Sequence, residues 1–154
     1  MAVTTTKRNI VTTEGDAAYF NFDGIGKTDA EITELLPDTT EVPGFGVNLE
    51  VKSKGTTNGD EYSAPGKRSY EDREVKFLMN DKTRAMYGKF LAATQDKNKA
   101  TISAKFVYAG YGDMQYGDFV VSAVNTPNST DATDVIEVTV KLKPSGQPKF
   151  TLGK

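Results

Sequence analysis

The chain has 154 residues, enough for one domain with a substantial core, and its 19 basic and 21 acidic residues give a net charge of -2. That balance excludes a nucleic-acid-binding surface spread over the whole molecule, which would be strongly basic. The absence of Cys and His excludes a thiol nucleophile, an imidazole base, a Cys/His zinc site and disulfides.

No stretch reaches the roughly 18 apolar residues of a membrane span, and the first residues lack a signal-peptide pattern. We therefore expect synthesis in a cytoplasm and no membrane association. The charge is unevenly distributed along the chain. Residues 1–50 hold three basic and nine acidic residues, a net charge of -6. Copies of such a chain could stack head to tail.

The first part of the chain predicts an extended arm over residues 1–13, a strand over 17–22 and a short helix over about 29–36. Thr28 and Glu31 have the spacing of a helix capping box, and Pro37 ends the pattern.

Between this strand and helix, glycines followed by Lys27 and Thr28 resemble a phosphate-binding loop. That motif needs a glycine five positions before Gly26, where this chain has Asn21. We therefore interpret the segment as a structural connection.

The central stretch, residues 45–79, contains two segments in which apolar and polar residues alternate, 45–52 and 74–79. This pattern predicts two strands, each with one buried face. Residues 53–72 between them are polar and glycine-rich, far longer than the usual hairpin connection of about 2 to 5 residues. Ordering about 16 such residues costs roughly 16 to 30 kcal/mol. Apolar burial of about 600 to 1,200 Å² would offset that cost.

A second copy of the chain could supply this surface. We therefore predict that residues 53–72 form a mobile loop that folds when subunits meet, with a disordered surface loop as the alternative.

The second half of the chain predicts one helix and several strands. The helix runs over about 80–94, with Met86, Phe90 and Ala93 on its apolar side. Strands are expected over 100–108, 118–124, 134–143 and 149–152, with a turn over 109–117 and a C-terminal arm over 144–154. The strand over 118–124 is apolar on both faces and is predicted to be central.

The tyrosines around this turn could stack nucleotide bases, but the nearest charged residues, Asp113 and Asp118, are acidic. We therefore interpret the turn as part of an aromatic hairpin. The predicted fold is mainly β: a single antiparallel β-sandwich or barrel of about six to eight strands with one packed helix.

The order of these features resembles the tail tube protein, or major tail protein, of long-tailed bacteriophages. The resemblance rests on the charged segment followed by residues 71–77, the helix around 87–91, the hairpin around 110–119, and a closing strand, 138–143, that runs into Pro-Ser-Gly-Gln-Pro at 144–148. It covers about two thirds of the chain.

The resemblance implies hexameric rings that stack into a hollow tube, through which DNA is delivered without specific binding. It also implies a single tail-tube domain over residues 1–154, a place in the virion, and tape-measure, tail terminator and baseplate or tip proteins as partners. Catalytic residues, cofactors and metals are not expected, since no pair of carboxylates is distinguished by its spacing. A tube subunit of a type VI secretion or contractile injection system is one alternative, and a β-sandwich ligand-binding module is another.

Two sets of residues are candidates for function. The loop and the C-terminal arm are predicted to supply the subunit interface: Lys54, Asn58, Asp60, Glu61, Tyr62, Lys67, Arg68, Tyr70 and Phe150. The polar faces of the two central strands are predicted to face the lumen: Glu50, Lys52, Glu74 and Lys76.

Overall fold

The computed structural model describes residues 15–127 and 135–153. The predicted N-terminal arm, residues 1–13, lies outside them, as does the start of the strand predicted over 134–143. The strands are β1 (Ala17–Asn21), β2 (Glu34–Leu35), β3 (Thr39–Glu41), β4 (Val47–Gly55), β5 (Glu61–Tyr70), β6 (Arg73–Leu78), β7 (Thr101–Val107), β8 (Met114–Asn125), β9 (Glu137–Pro144) and β10 (Lys149–Thr151); the helix α1 is Arg84–Gln95, and Asp29–Glu31 and Lys97–Lys99 are short 3-10 helices.

One antiparallel sheet forms the body, with strand order β2-β1-β7-β8-β9-β6-β3 and β10 added beside β8. Its two edge strands, β2 and β3, follow each other in the chain, from Leu35 to Thr39. Four Cα-to-Cα steps span at most about 15 Å. The edges therefore lie close together, and the sheet curls into a barrel-like shape.

The core shows the same curvature. The ring of Phe90 on α1 lies 5.0 Å from that of Phe20 on β1 and 6.2 Å from that of Phe77 on β6. Those strands are four places apart, about 19 Å in a flat sheet. The helix thus packs on the concave side of the sheet, where Phe106 and Phe119 complete a buried aromatic cluster.

The predicted fold class, mainly β with one packed helix, is confirmed. The burial of Met86, Phe90 and Ala93 is also confirmed. The helix begins at Arg84, later than predicted, because the side chain of Asn80 accepts hydrogen bonds from the backbone N–H groups of Lys82 and Thr83. That arrangement holds the residues before Arg84 in a turn.

The predicted helix over 29–36 is wrong beyond its first turn. The Glu31 carboxylate does accept hydrogen bonds from the backbone N–H and hydroxyl of Thr28, which lower its pKa. However, Glu34 and Leu35 pair as β2 with the edge of β1. Pairing with a strand whose hydrogen-bonding groups are otherwise open overrides a weak helical preference.

The predicted loop over 53–72 is also wrong, whereas its ordering when subunits meet stays a prediction. Residues 61–70 form strand β5, which pairs with β4, while β6 pairs with β9 and β3. The two central strands of the sequence analysis are therefore not partners. The alternating residues of β4 do not have a buried face either, since the whole strand is exposed.

The predicted turn over 109–117 is shorter in the structure. The N–H of Tyr108 donates to the carbonyl of Asp113 at 2.8 Å, and β8 begins at Met114. β8 lies between β7 and β9, as its apolar sequence predicts. The predicted final strand is confirmed as β10, so residues 149–151 of the C-terminal arm are docked on β8.

Candidate functional site: a projecting hairpin

Strands β4 and β5 form a two-stranded hairpin that projects from the body. Their pairing runs from Val47 opposite Tyr70 to Gly55 opposite Glu61. At about 3.4 Å per residue, nine residues extend roughly 30 Å. Apart from pairing with each other, the two strands make few contacts with the rest of the protein.

A compact turn closes the far end of the hairpin. The N–H of Thr56 donates to the carbonyl of Asp60 at 2.7 Å, and the N–H of Gly59 donates to the carbonyl of Thr56 at 3.1 Å. Gly59 has a φ of +87°, a left-handed conformation that glycine adopts without strain. The polar, glycine-rich residues at the centre of the predicted loop therefore form the turn of a hairpin.

One side of the hairpin carries an apolar face made of Val47, Leu49 and Val51. Their exposed fractions are 41%, 49% and 62%. A two-stranded ribbon is marginally stable on its own in water, and adjacent exposed aliphatic side chains mark an interaction surface more often than a solvated one. The arrangement is suited to covering by another protein surface.

The opposite side of the hairpin is polar. Because side chains alternate along a strand, Asn48, Glu50, Lys52 and Lys54 of β4 lie on this side, with Tyr62 paired directly opposite Lys54. All five side chains are exposed. The hairpin is therefore amphipathic although it has no core of its own.

The structure places all but one of the predicted interface residues along the hairpin. Phe150 lies on β10, and every other member of the set is on the hairpin or in its turn: Lys54, Asn58, Asp60, Glu61, Tyr62, Lys67, Arg68 and Tyr70. Their role at an interface remains a prediction.

The predicted lumen-facing residues are not brought together. Glu50 and Lys52 lie on the hairpin, whereas Glu74 and Lys76 lie on β6 in the body. The Lys76 Nζ is 3.3 Å from a carboxylate oxygen of Glu41 and 3.4 Å from one of Glu74. The hydrogen bond with Glu41 raises the pKa of Lys76. A shared lining would require β4 and β6 to pair with each other, and they lie in different sheets.

A buried polar cluster lies at the root of the hairpin. Arg73, at the start of β6, is 1% exposed and donates from Nε to Oε1 of Gln115 at 3.1 Å and from Nη1 to the carbonyl of Glu71. Gln115 donates to the carbonyl of Gly44 at 3.1 Å. The cluster joins the chain on both sides of the hairpin to β8.

Tyr108 completes this cluster, which we call the root cluster: Arg73, Gln115 and Tyr108. The tyrosine hydroxyl donates to the carbonyl of Pro43 at 2.5 Å and accepts a hydrogen bond from Gln115. Burial raises the pKa of Tyr108 and lowers that of Arg73. An arginine nevertheless stays charged at physiological pH.

Sequence reasoning did not identify the root cluster. One signal was present: Arg73 occupies the same alternating phase as Val75 and Phe77, both buried in β6. A basic residue in the buried phase of a strand requires internal hydrogen-bond partners. The glutamine and tyrosine that provide them are 42 and 35 positions further along the chain, which no local pattern reveals.

The resemblance to a phosphate-binding loop has a structural explanation. The N–H of Gly26 donates to the Asp118 carboxylate at 2.9 Å, and the hydroxyl of Ser103 donates to the carbonyl of Gly24 at 3.0 Å. The Asp118 carboxylate thus accepts the hydrogen bond from a backbone N–H that a bound phosphate would need. The glycines allow the segment to lie against β7 and β8.

Over residues 15–127 and 135–153, no group of three or more acidic side chains is placed to hold a metal ion. Neither is any helix within these ranges long and apolar enough to cross a bilayer. A cavity of about 360 Å³ lies between the end of β1 and α1, with Phe22, Ala92 and Lys89 among its lining residues. A salt bridge of 2.7 Å joins Lys89 to Glu34 at its edge.

No protein-family model matches the chain, and no curated protein sequence matches it significantly. Solved structures do match. The sheath/tube terminator of the extracellular contractile injection system PVC superposes with a TM-score of 0.72 at 9% identity, over 95% of this chain and 99% of that one. The tube-terminating cap of the anti-feeding prophage gives 0.70 at 15% identity, over 98% and 97%.

The SPP1 tail tube gives a TM-score of 0.57 at 13% identity, over 94% of this chain and 80% of that one. Identities this low establish the fold and nothing finer. The chain therefore has the fold of tail tube and tube terminator proteins, and the resemblance found in the sequence is confirmed at that level.

Proposed function

We propose that this protein is a structural subunit of a hollow tail tube and that its β4–β5 hairpin is the connector between subunits. The proposed role involves no catalytic step. The observation that carries the proposal is the hairpin itself, a ribbon roughly 30 Å long with an exposed apolar face and few contacts to its own body.

The fold supports this role. A ring subunit needs a rigid body and an element that reaches a neighbour. In this chain the curled sheet is suited to be the body and the hairpin to be the reaching element. A contact in which one part of a subunit meets a different part of the next copy generates closed rings or open filaments. We propose that six copies form a ring, that the rings stack into the tube, and that the tube belongs to a virion or to a related extracellular particle.

In a phage tail the cargo would be DNA, and the lumen must not retain it. A polar lining of mixed charge meets that requirement, because binding grows with the number of phosphates that basic groups neutralise. The polar side of the hairpin offers both signs, with Glu50, Lys52 and Lys54 exposed. Purified tubes that held DNA tightly at physiological salt would contradict free passage.

A second candidate is a tube-terminating ring of a contractile injection particle. The two matches described above with TM-scores of at least 0.70 are both terminators or caps, whereas the SPP1 tail tube gives 0.57. The two functions differ in their products. A tube subunit polymerises into fibres of indefinite length, whereas a terminator forms single rings that stop growth.

The proposal is tested by deleting residues 49–68 and joining Asn48 to Ser69, which are paired opposite each other, through a two-residue Asn-Gly turn. Because the hairpin contributes little to the body's core, we expect a folded monomer with nearly unchanged thermal unfolding. We also expect it not to polymerise in sedimentation velocity experiments. A control with Lys97→Ala and Asn98→Ala, at exposed positions on the body away from the hairpin, should assemble normally. Normal fibres from the hairpin deletion would refute the connector role.

A further inference from the structure

The end of the chain contacts the root of the hairpin. The ring of Phe150 on β10 lies 4.7 Å from the ring of Phe45, two residues before β4. Centroids at that distance are in direct contact, and such aromatic pairs contribute about 0.5 to 1.5 kcal/mol beyond area burial. Phe150 thus contacts the segment that leads into the hairpin, although it lies more than 100 positions further along the chain.

The same contact covers the root cluster. The guanidinium carbon of Arg73 lies 5.4 Å from the centre of the Phe45 ring, within cation-π range. Phe150 is paired opposite Gln115, the partner of Arg73. Among the described residues, Nη2 of Arg73 is the one buried side-chain nitrogen or oxygen without a hydrogen-bond partner. The face of the Phe45 ring is therefore the main group that offsets the missing hydrogen bond of this nitrogen.

β10 is itself fixed at both ends. Beyond it, the N–H of Gly153 donates to the Asp113 carboxylate at 2.8 Å. An added Cβ on Gly153 would lie 1.9 Å from the carbonyl oxygen of Tyr111. At the other end, an added Cβ on Gly117 would lie 3.2 Å from Pro148. Only glycine can lie this close to the carbonyl of Tyr111. The end of the chain beyond β10 therefore lies directly against the turn between β7 and β8.

We infer that β10 is a clasp that sets the direction of the hairpin, with Phe150 as its positioning residue. Phe150 fixes Phe45, Phe45 covers Arg73, and Arg73 joins the return side of the hairpin to β8. Without the clasp the body remains folded, but the hairpin pivots about residues 43–46 and 71–72. The consequence for assembly rests on the proposed function, whereas the clasp does not.

The chain has no cysteine, so paired spin labels can be placed without background. One label is introduced by Asn58→Cys in the hairpin turn and one by Lys97→Cys on the body, both exposed positions. Distances between them are measured by pulsed electron paramagnetic resonance in dilute, unassembled protein. We expect one narrow distribution for the parent and a distribution at least about twice as wide for Phe150→Ala.

Two controls isolate the ring of Phe150. Leu152→Ala removes a side chain that is 75% exposed and lies two residues away, and should leave the distribution narrow. Phe150→Tyr retains the ring and should also remain narrow. Phe45→Ala, which removes the other half of the pair, should broaden it as Phe150→Ala does, and gives a second test if one variant folds poorly.

A distribution for Phe150→Ala as narrow as the parent's overturns the clasp, and so does equal broadening by Leu152→Ala. Because the measurement precedes assembly, these outcomes are independent of tube formation. A parent protein that never assembled would count against the proposed function and leave the distance result standing. If both hold, Phe150→Ala should raise the protein concentration needed for assembly by about tenfold, which corresponds to about 1.4 kcal/mol.

Discussion

Arg73 Nε donates a hydrogen bond of 3.1 Å to Gln115 Oε1, joining the start of β6 to β8 inside the body. Both side chains are buried. Burying a guanidinium costs free energy unless most of its donors find acceptors, so this contact links the stability of the body to the position of the hairpin root.

Replacing Gln115 by Leu removes the acceptor for Arg73 and the donor to the carbonyl of Gly44. Each buried group left unmatched costs about 1 to 3 kcal/mol, so for the two groups we expect a loss of roughly 2 to 6 kcal/mol in the free energy of unfolding, measured with urea. Gln147→Leu, on the exposed turn before β10, is the matched control and should change stability by less than about 0.5 kcal/mol. Equal effects of the two substitutions would contradict the role of the cluster.

The aromatic cluster makes a second prediction. Phe90 is fully buried and touches Phe20, Phe22 and Phe77. Phe90→Ala should therefore lower the free energy of unfolding by about 3 to 5 kcal/mol. The neighbouring Leu91→Ala, at a half-buried position of the same helix, should cost clearly less. A Phe90 variant as stable as the Leu91 variant would show that the helix does not close the core.

Tyr108 makes stability depend on pH in the alkaline range. Burial raises its pKa above the ordinary value of 10.0. At a pH between the unfolded and folded values, the folded protein retains a proton that the unfolded chain has lost. The contribution of the protonated Tyr108 to the free energy of unfolding is therefore fully present below about pH 10 and is lost as pH rises through the folded-state pKa.

Tyr108→Phe should remove the part of this decline that Tyr108 causes and leave the part that Lys76 causes, since the pKa of Lys76 is also raised. Tyr62→Phe, at an exposed position on the hairpin, should retain the whole decline. Thermal unfolding between pH 8 and 11 provides the measurement. Parallel pH profiles for the wild type and Tyr108→Phe would show that the phenol ionises equally in both states.

The apolar face of the hairpin separates folding from assembly. Leu49→Ser combined with Val51→Thr changes only exposed side chains, so the unfolding temperature of the monomer should scarcely move. Burying such side chains contributes about 1.5 to 3 kcal/mol each. Their loss should raise the concentration required for assembly by about tenfold or more. Glu50→Gln with Lys52→Gln, on the opposite face, is the control in light-scattering assays. Assembly unaffected by the apolar substitutions would place the contact elsewhere.

The sequence predicts much of the body because local patterns determine it. The alternation in 101–107 and 137–144 and the apolar stripe around Phe90 each identify their element and its buried side. The partner of β4 could not be read in this way, because both β5 and β6 follow it closely and either could pair. Glycine-rich turn residues at 55–60 were interpreted as disorder, although Gly59 is what a tight reversal requires.

The sequence indicates which residues the candidate site contains but not what holds them in place. Residues such as Tyr62 and Arg68 do lie together on one projecting element. What holds that element, however, comes from positions 73, 108, 115 and 150, which meet only through sheet pairing. Long-range polar contacts of this kind leave no periodic signal in a single sequence.

Electron microscopy of the concentrated wild-type protein tests the central claim most directly. If the protein is a tube subunit, we expect rings seen end-on and hollow fibres seen side-on, with the β4–β5 hairpin of each subunit lying against its neighbour in a reconstruction. A protein that stays monomeric at every concentration, or fibres in which the hairpin points freely into solvent, would contradict it.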